Sequence, residues 1–451
     1  MSGLIEQLAT IVGRDHVLTD AEARAPYETD WTRRFHGATP AVVRPATTAE
    51  VAAIVLLCRL ERVAIVAQGG NTGLVGGGVP GNGELIVSLR RMARVDPVDV
   101  NARQVTVQAG ATLTTVRSAA DDAGLTYPID LGARDSATIG GTIATNAGGL
   151  NLVRYGGTRE HVVGVEAVLG NGQIISHLGG LVKDNTGYHL PSLLCGSEGT
   201  LGIVTAARLA LRPRYEHRVT ALLAFADVGD AVDAACELRD SIDSLEAAEL
   251  LLDAGVRLVC AAFDLRPPFD DPRAAYLLVE AADHRDPITE LDAAVSRLAE
   301  VDDVAVAVDP VRRAALWRYR EEHTLAINTL GTPHKLDITV PIPLLAAFVR
   351  DIPEIVSARC PGAVTWLFGH IGDGNLHVNI TGVATQDDSA DDVVLVHVAS
   401  IGGSISAEHG IGTAKKRWLH LSRSAAEIDA MRAIKHALDP DNILNPNALL
   451  P

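Results

Sequence analysis

The sequence predicts an α+β protein of two domains or more, and three observations carry that reading. The chain has 451 residues, too many for one ordinary hydrophobic core. Its composition, 47% hydrophobic and 21% charged, is that of a globular protein able to bury large cores. Strand and helix patterns alternate, as at Val219–Phe225 and Asp230–Ile242. Two turn signals, Asn171-Gly172 and Gly372 to Asn375, each stand between apolar runs and predict antiparallel hairpins.

Charge and cysteine usage narrow the function classes. A net charge of −17 argues against nucleic acid or an anionic membrane surface as the main partner. The five cysteines (Cys58, Cys195, Cys236, Cys260, Cys360) are odd in number and lack CxxC spacing, so reduced thiols in a cytoplasmic protein are expected. Met1 to Asp20 has no basic stretch leading into an apolar one, and no secretory signal is visible. Arg33-Arg34 precedes no hydrophobic segment. The longest apolar run, Val51 to Cys58, is far below the roughly 20 residues of a spanning helix. A soluble protein is expected, with peripheral membrane association left open.

In chain order, residues 2–12 predict a short helix and 13–40 an irregular stretch. Val42 to Arg44 is a brief strand before Thr47-Thr48-Ala49-Glu50, a capping pattern opening a helix through Arg59. Val63 to Ala67 is a buried-type strand, followed by the Gly-rich Gln68 to Pro80 and a further strand, Leu85 to Ser88. Such a loop after a strand brings backbone N–H groups against a phosphate. It lacks the Gly-Lys-Ser/Thr of a Walker loop, and Pro80 and a strand follow where a Rossmann motif needs a helix. A second small-residue region runs Pro128 to Ala133 and Thr138 to Gly149, and a third is Gly196-Ser197-Glu198-Gly199-Thr200-Leu201-Gly202-Ile203. So many small residues imply that something large lies against the backbone. Val162–Leu169 and Gln173–Ser176 form the Asn171-Gly172 hairpin.

Together with Lys183-Asp184-Asn185-Thr186-Gly187-Tyr188, these segments resemble the FAD-binding domain of vanillyl-alcohol-oxidase (PCMH-type) flavoproteins over residues 40–212. The resemblance implies a two-part FAD-binding domain. Gly69, Gly70, Asn71, Thr72, Gly73 and Leu74 would cradle the pyrophosphate, and Pro128, Gly132, Ala133, Ile139, Gly140, Gly141, Asn146 and Ile203 would line the cofactor. Asn71 stands where covalent members of the family often carry the linking His, which implies non-covalent FAD.

Beyond the break at Arg212-Pro213, chemistry concentrates in three segments. Leu316 to Thr324 reads as helix, placing Arg320 and Thr324 on one face at i,i+4. Lys335 to Val340 alternates, so Lys335, Asp337 and Thr339 face one way, and Asp337 is an alternative partner for Lys335. In Gly369 to Ile380, a turn at Gly372 to Asn375 would set His370 directly opposite His377, with Cβ atoms about 4.5–5.5 Å apart and Asn379 on the same face. Two such imidazoles can share a metal ion, although a surface hairpin with two unrelated histidines is the plainer reading. Ser406 to Gly412 adds Glu408 and His409, and two His with one Glu is a common catalytic zinc set.

These segments are similar to the C-terminal domain of FAD-linked D-2-hydroxyacid dehydrogenases, and within them to members acting on D-2-hydroxyglutarate. The resemblance implies that Arg320, Thr324, Lys335 and Asn379 bind substrate and that His370, His377 and Glu408 hold a divalent metal, with zinc the expected ion. It also implies that His409 is the general base and that Asn445, in the tail Asp439 to Pro446, returns to the flavin. The implied reaction is metal-assisted oxidation of a D-2-hydroxy acid to the 2-oxo acid, 2-oxoglutarate, by hydride transfer to flavin N5. An electron-transfer flavoprotein, a quinone or another acceptor would reoxidise the flavin, and a homodimer is left open. D-lactate, D-malate or glycolate oxidation, or a non-catalytic FAD subunit of an electron-transfer complex, are the rival readings. The expected layout is 1–39 as an N-terminal helical segment and 40–214 as the FAD-binding domain. It continues with 215–412 as an α+β substrate and metal domain with an antiparallel sheet, and 413–451 as a helical segment packing back on the flavin domain.

Overall fold

The helix Thr48–Glu61 starts where the Thr47 hydroxyl accepts the Glu50 amide, and the Glu50 carboxylate reaches back to the Ala46 amide. Its apolar residues Val51, Ile54, Val55 and Cys58 are buried, so local capping and core burial agree on one element. The structure is a computed structural model describing residues 2–81 and 83–451. It divides into two units: residues up to Gly149 with Gly156–Arg214 and Glu408–Pro451, and Leu150–Tyr155 with Tyr215–Ala407.

The first unit holds β1 (Val17–Leu18), β2 (Val42–Val43), β3 (Ile65–Gln68) and β4 (Leu85–Ser88) in a sheet of order β1-β2-β4-β3. The pairings of β4 with β2 and β3 are parallel, and their near-continuous apolar runs are those of strands buried on both faces. A second sheet has the order β5-β9-β7-β8, from β5 (Gln104–Gln108), β7 (Val162–Val168), β8 (Ile174–His177) and β9 (Ile203–Ala210). β7 and β8 form the expected hairpin, with Val168 opposite Ile174 and Gly172 at positive φ in the turn. The short β6 (Leu125–Thr126) and β10 (Arg212–Pro213) pair with each other.

Residues 1–39, expected as a separate segment, belong to this unit because Leu4, Leu8 and Val12 of the helix Ser2–Val12 enter its core. The stretch 13–40 also contains a helix that the sequence reading missed, Ala21–Glu28, capped by Asp20. The chain's last residues lock onto β3: the Ile65 amide donates to the Ile443 carbonyl, the Asn445 amide donates to the Ile65 carbonyl, and Leu444 is buried between them.

The second unit is built on a seven-stranded sheet of order β14-β11-β13-β12-β16-β17-β15, every pairing antiparallel. Its strands are β11 (His217–Phe225), β12 (Leu245–Leu252), β13 (Ala275–Asp283), β14 (Asp303–Ala307), β15 (His334–Thr339), β16 (Val364–His370) and β17 (Asn375–Thr381). Leu222, Leu251, Leu278 and Phe368 form a core on one face with Val256, Leu316, Trp317 and Ile327 from helices. The helix expected around Leu316 to Thr324 is two helices, Pro310–Glu321 and His323–Asn328, broken at Glu322. Among the described residues no helix is long and apolar enough to cross a membrane.

Leu444→Ala removes a fully packed side chain at the point where the tail grips β3. The expected loss is about 2–5 kcal/mol, the usual range for a buried Leu. A denaturant midpoint equal to that of wild type would show that the tail does not hold this unit together.

Candidate active site

In the second unit, strands β12, β16, β17 and β15 bring four polar residues, Glu249, His370, His377 and Asp337, onto one sheet face. Glu249 on β12 is opposite His370 on β16, and on β17 His377 is opposite both Phe368 of β16 and Asp337 of β15. The expected direct opposition of His370 and His377 is therefore not observed. The turn occupies Ile371 to Gly374, one residue earlier than expected, with Gly374 at φ 80° and Asn375 already in strand. His370 and His377 are diagonal neighbours instead, and diagonal pairs are within reach of ring side chains. Their ring centroids are 5.2 Å apart, so the imidazoles still meet.

Each imidazole is held by a buried carboxylate that the sequence reading did not assign. Glu249, with no exposed surface, accepts from His370 Nδ1 and from Arg320 Nε. Burial alone would raise the Glu249 carboxyl, but Arg320 and His370 beside it hold it down at about 2. Asp337, equally buried, accepts the Asn375 side-chain amide at 2.8 Å and lies 3.3 Å from His377 Nδ1. Burial pushes His377 down to about 3 against the pull of Asp337, so the ring is neutral, the form in which imidazole binds a metal.

The substrate residues expected in this unit sit around the same face. Lys335 and Asn379 are cross-strand partners, and Lys335 Nζ donates to Asn379 Oδ1 at 3.2 Å. Burial pulls the lysine down to about 8. The Arg320 guanidinium stacks 4.7 Å from the Phe368 ring centroid and is 7% exposed, so it is not a solvated surface charge. Thr324 is half-buried in the first turn of the helix after the break, not on a continuous face with Arg320.

In the first unit, the loop Gly69 to Leu74 leaves β3 with Asn71 at φ 57°. Arg90 donates to the Gly69 and Gly70 carbonyls, while the amides of these six residues donate to no protein acceptor among the described residues. The loop packs against the entry to the helix Ile139–Thr145: a Cβ on Gly70 would lie 1.9 Å from the Ser136 carbonyl oxygen. Ile139, Gly140 and Gly141 form the first turn of that helix, and Asn146 is its left-handed cap, accepting the Arg159 amide. Pro128, Gly132 and Ala133 lie in the segment before it, Gly132 with open space where a side chain would be. Ile203 opens β9, and Asn445 Nδ2 donates to the Gly77 and Glu198 carbonyls.

Glu408 and His409 also belong to this unit, at the start of its last segment, and Glu408 accepts the Gly149 amide at 2.7 Å. That segment is clamped by Glu198, whose two oxygens accept the Ile411 and Gly412 amides at 2.7 and 2.6 Å. Glu198 stood within a quoted motif, yet a carboxylate serving backbone amides leaves no pattern in a single sequence.

The family described as FAD linked oxidases, C-terminal domain, matches residues 214–449, and a FAD binding domain family matches residues 39–177. The chain is 40% identical to D-2-hydroxyglutarate dehydrogenase of Xanthomonas citri pv. viticola, over 94% of this chain and 92% of that one. It is 36% identical to the mitochondrial D-2-hydroxyglutarate dehydrogenase of Arabidopsis thaliana, over 98% and 80%. The chain belongs to the family of FAD-linked D-2-hydroxyglutarate dehydrogenases. The fold agrees: p-cresol methylhydroxylase superposes with a TM-score of 0.80 at 17% identity, covering 99% of this chain and 96% of that one. Alkyldihydroxyacetonephosphate synthase gives 0.78 at 19% identity, covering 99% and 84%.

The first unit's residues fit the FAD of this family. Successive backbone amides with no protein acceptor are a donor set for a pyrophosphate, and Arg90 fixes the loop by taking two of its carbonyls. Gly70→Ala would force the loop away from Ser136, because the obstructing atom is backbone. The expected result is at least about tenfold weaker FAD binding, or ~1.4 kcal/mol. The flavin-to-protein absorbance ratio after gel filtration checks this, and a wild-type ratio would remove the loop from the cofactor site.

Proposed function

We propose that this FAD-dependent enzyme oxidises D-2-hydroxyglutarate to 2-oxoglutarate, with a divalent metal on His370, His377 and Glu408. The observation that carries the substrate choice is the presence of two cations, Arg320 from the helix Pro310–Glu321 and Lys335 from β15, at one polar sheet face of a chain with net charge −17. A monocarboxylate such as D-lactate answers one of them. A dicarboxylate carries a second carboxylate, to which the Lys335 ammonium and the Asn379 amide can donate charge-assisted hydrogen bonds. D-malate meets the same charge argument with a shorter reach, and chain length decides between the two.

Bound FAD supplies the hydride acceptor, at flavin N5. A bound metal supplies Lewis acidity toward the α-hydroxyl oxygen. The carboxylate–imidazole pairs Glu249–His370 and Asp337–His377 support the two histidines as ligands, since metal-binding histidines usually donate their other nitrogen to a carboxylate. Arg320 takes one substrate carboxylate through its terminal nitrogens, Lys335 and Asn379 take the other, and Thr324 lends a hydroxyl. His409 removes the hydroxyl proton, imidazole being the side chain most often used as a general base. Asn71 spends its side-chain amide on the Pro26 and Thr29 carbonyls, which supports FAD held without a covalent link at this position. Turnover also needs an acceptor for the flavin electrons, for which an electron-transfer flavoprotein or a quinone is chemically suited. The five free cysteines suit a reducing compartment.

A hydrogen bond to a charged group contributes about 1.5–3 kcal/mol, so D-2-hydroxyglutarate should exceed D-lactate in kcat/KM by about 10- to 150-fold. Lys335 is an ammonium below about 8 and neutral above it, so the preference should shrink as pH rises through that value. Lys335→Ala should narrow it at every pH, mainly by weakening the dicarboxylate. Equal wild-type values for the two acids would end the claim.

Chelation, or His377→Ala, should abolish turnover while leaving the flavin spectrum unchanged. The check is activity against measured metal content, and full turnover in protein verified to be metal-free would remove the metal from the reaction.

A further inference from the structure

We infer that Glu249 is the positioning residue that fixes the tautomer of His370 and the orientation of Arg320, coupling the metal ligand to the substrate-binding cation through one buried carboxylate. This rests on the proposed metal site but assigns a role to a residue outside it. Glu249 has no exposed surface and lies in register opposite His370, with one oxygen on His370 Nδ1 and the other on Arg320 Nε. An ionised carboxylate only accepts hydrogen bonds, so Nδ1 carries a proton, and in the neutral ring the lone pair then sits on Nε2. That is the tautomer a metal needs if it is to bind through Nε2. Arg320 gives its single Nε–H to the same carboxylate, and its plane is fixed over the Phe368 ring, so the paired terminal nitrogens form the edge left for a planar carboxylate. A residue that merely neutralised Arg320 would not need its second oxygen on His370.

The discriminating variant is Glu249→Gln, which keeps the shape. Its amide oxygen can still accept from Arg320, but its NH₂ then faces His370 Nδ1 and favours the opposite tautomer, with the proton on Nε2. Zn²⁺ affinity of the FAD-loaded protein, measured by competition with a chromophoric chelator, should fall about 10- to 100-fold. KM for D-2-hydroxyglutarate should rise less than the Zn²⁺ dissociation constant does. Long-range ¹H–¹⁵N spectra of histidine-labelled, metal-free protein should show His370 protonated on Nδ1 in wild type and on Nε2 in the variant. Wild-type Zn²⁺ affinity in a folded Glu249→Gln protein would overturn the inference. So would an Nε2-protonated His370 in wild type, a result that does not depend on the variant folding. Loss of affinity in His370→Ala but not in Glu249→Gln would sink the inference alone. No loss in His370→Ala would sink the metal site itself, and the inference with it.

Discussion

Burial of the Glu249 carboxylate is the constraint around which the second unit's polar face is arranged. An ionised carboxylate without solvent must be met by donors, and removing one partner of such a pair typically costs 3–5 kcal/mol because the charge left behind is uncompensated. β12 places Glu249 in the middle of the sheet, where water cannot help, and the partners come from two directions. His370 arrives across the β12–β16 ladder and Arg320 from the last turn of the helix Pro310–Glu321. The core on this face, with Phe368 beneath Arg320, packs that helix against the sheet. Hydrophobic packing thus sets where the guanidinium can go, and the carboxylate sets how it points.

The same logic repeats in the first unit with backbone donors. Glu198 is buried, and burial pushes its carboxyl up while the Ile411 and Gly412 amides and Lys415 pull it down. Its two oxygens bind the segment just after Glu408 and His409, and its carbonyl accepts from Asn445. Gly412 is at φ 54°, and a Cβ there would lie 2.2 Å from the Val75 carbonyl oxygen, so this segment also presses on the Gly-rich stretch after β3. One buried side chain therefore ties the segment of the proposed base and carboxylate ligand to the loops proposed to hold the flavin. A tail that closes on β3 through Ile443 to Asn445 completes the clamp. Rigid support of this kind suits a site whose residues come from segments far apart in sequence.

Local chemistry was the legible part of the sequence. The Thr47 cap, the Asn171-Gly172 hairpin, the alternation of β15 and the glycines of the first loop are each decided within a few residues, and the structure has them where the pattern puts them. What failed was set by one residue of turn geometry or by tertiary packing. Moving the turn from 372–375 to 371–374 changed the partner of His377 from His370 to Phe368. The break at Glu322 ended the shared helical face of Arg320 and Thr324. The helix Ala21–Glu28 carries an internal proline and a weak apolar stripe, so neither periodicity nor propensity marked it. Glu249 and Asp337 were invisible as site residues because a carboxylate inside an apolar strand looks the same in sequence whether it faces a histidine or solvent.

The alternation of β15 shows how a correct pattern can carry a wrong environment. Lys335 and Asp337 do share a face, as period-2 spacing requires, but that face is the unit's polar interior. Burial then separates the fates of the two charges. Asp337 is held by Asn375 and His377, and Lys335 rests on the neutral amide of Asn379 with its pKa drawn down by desolvation. The carboxylates on this face thus meet imidazoles and a guanidinium, while the ammonium meets the amide of Asn379. The sheet sets carboxylates beside its histidines and a lysine beside an amide, two different environments made by the same few strands.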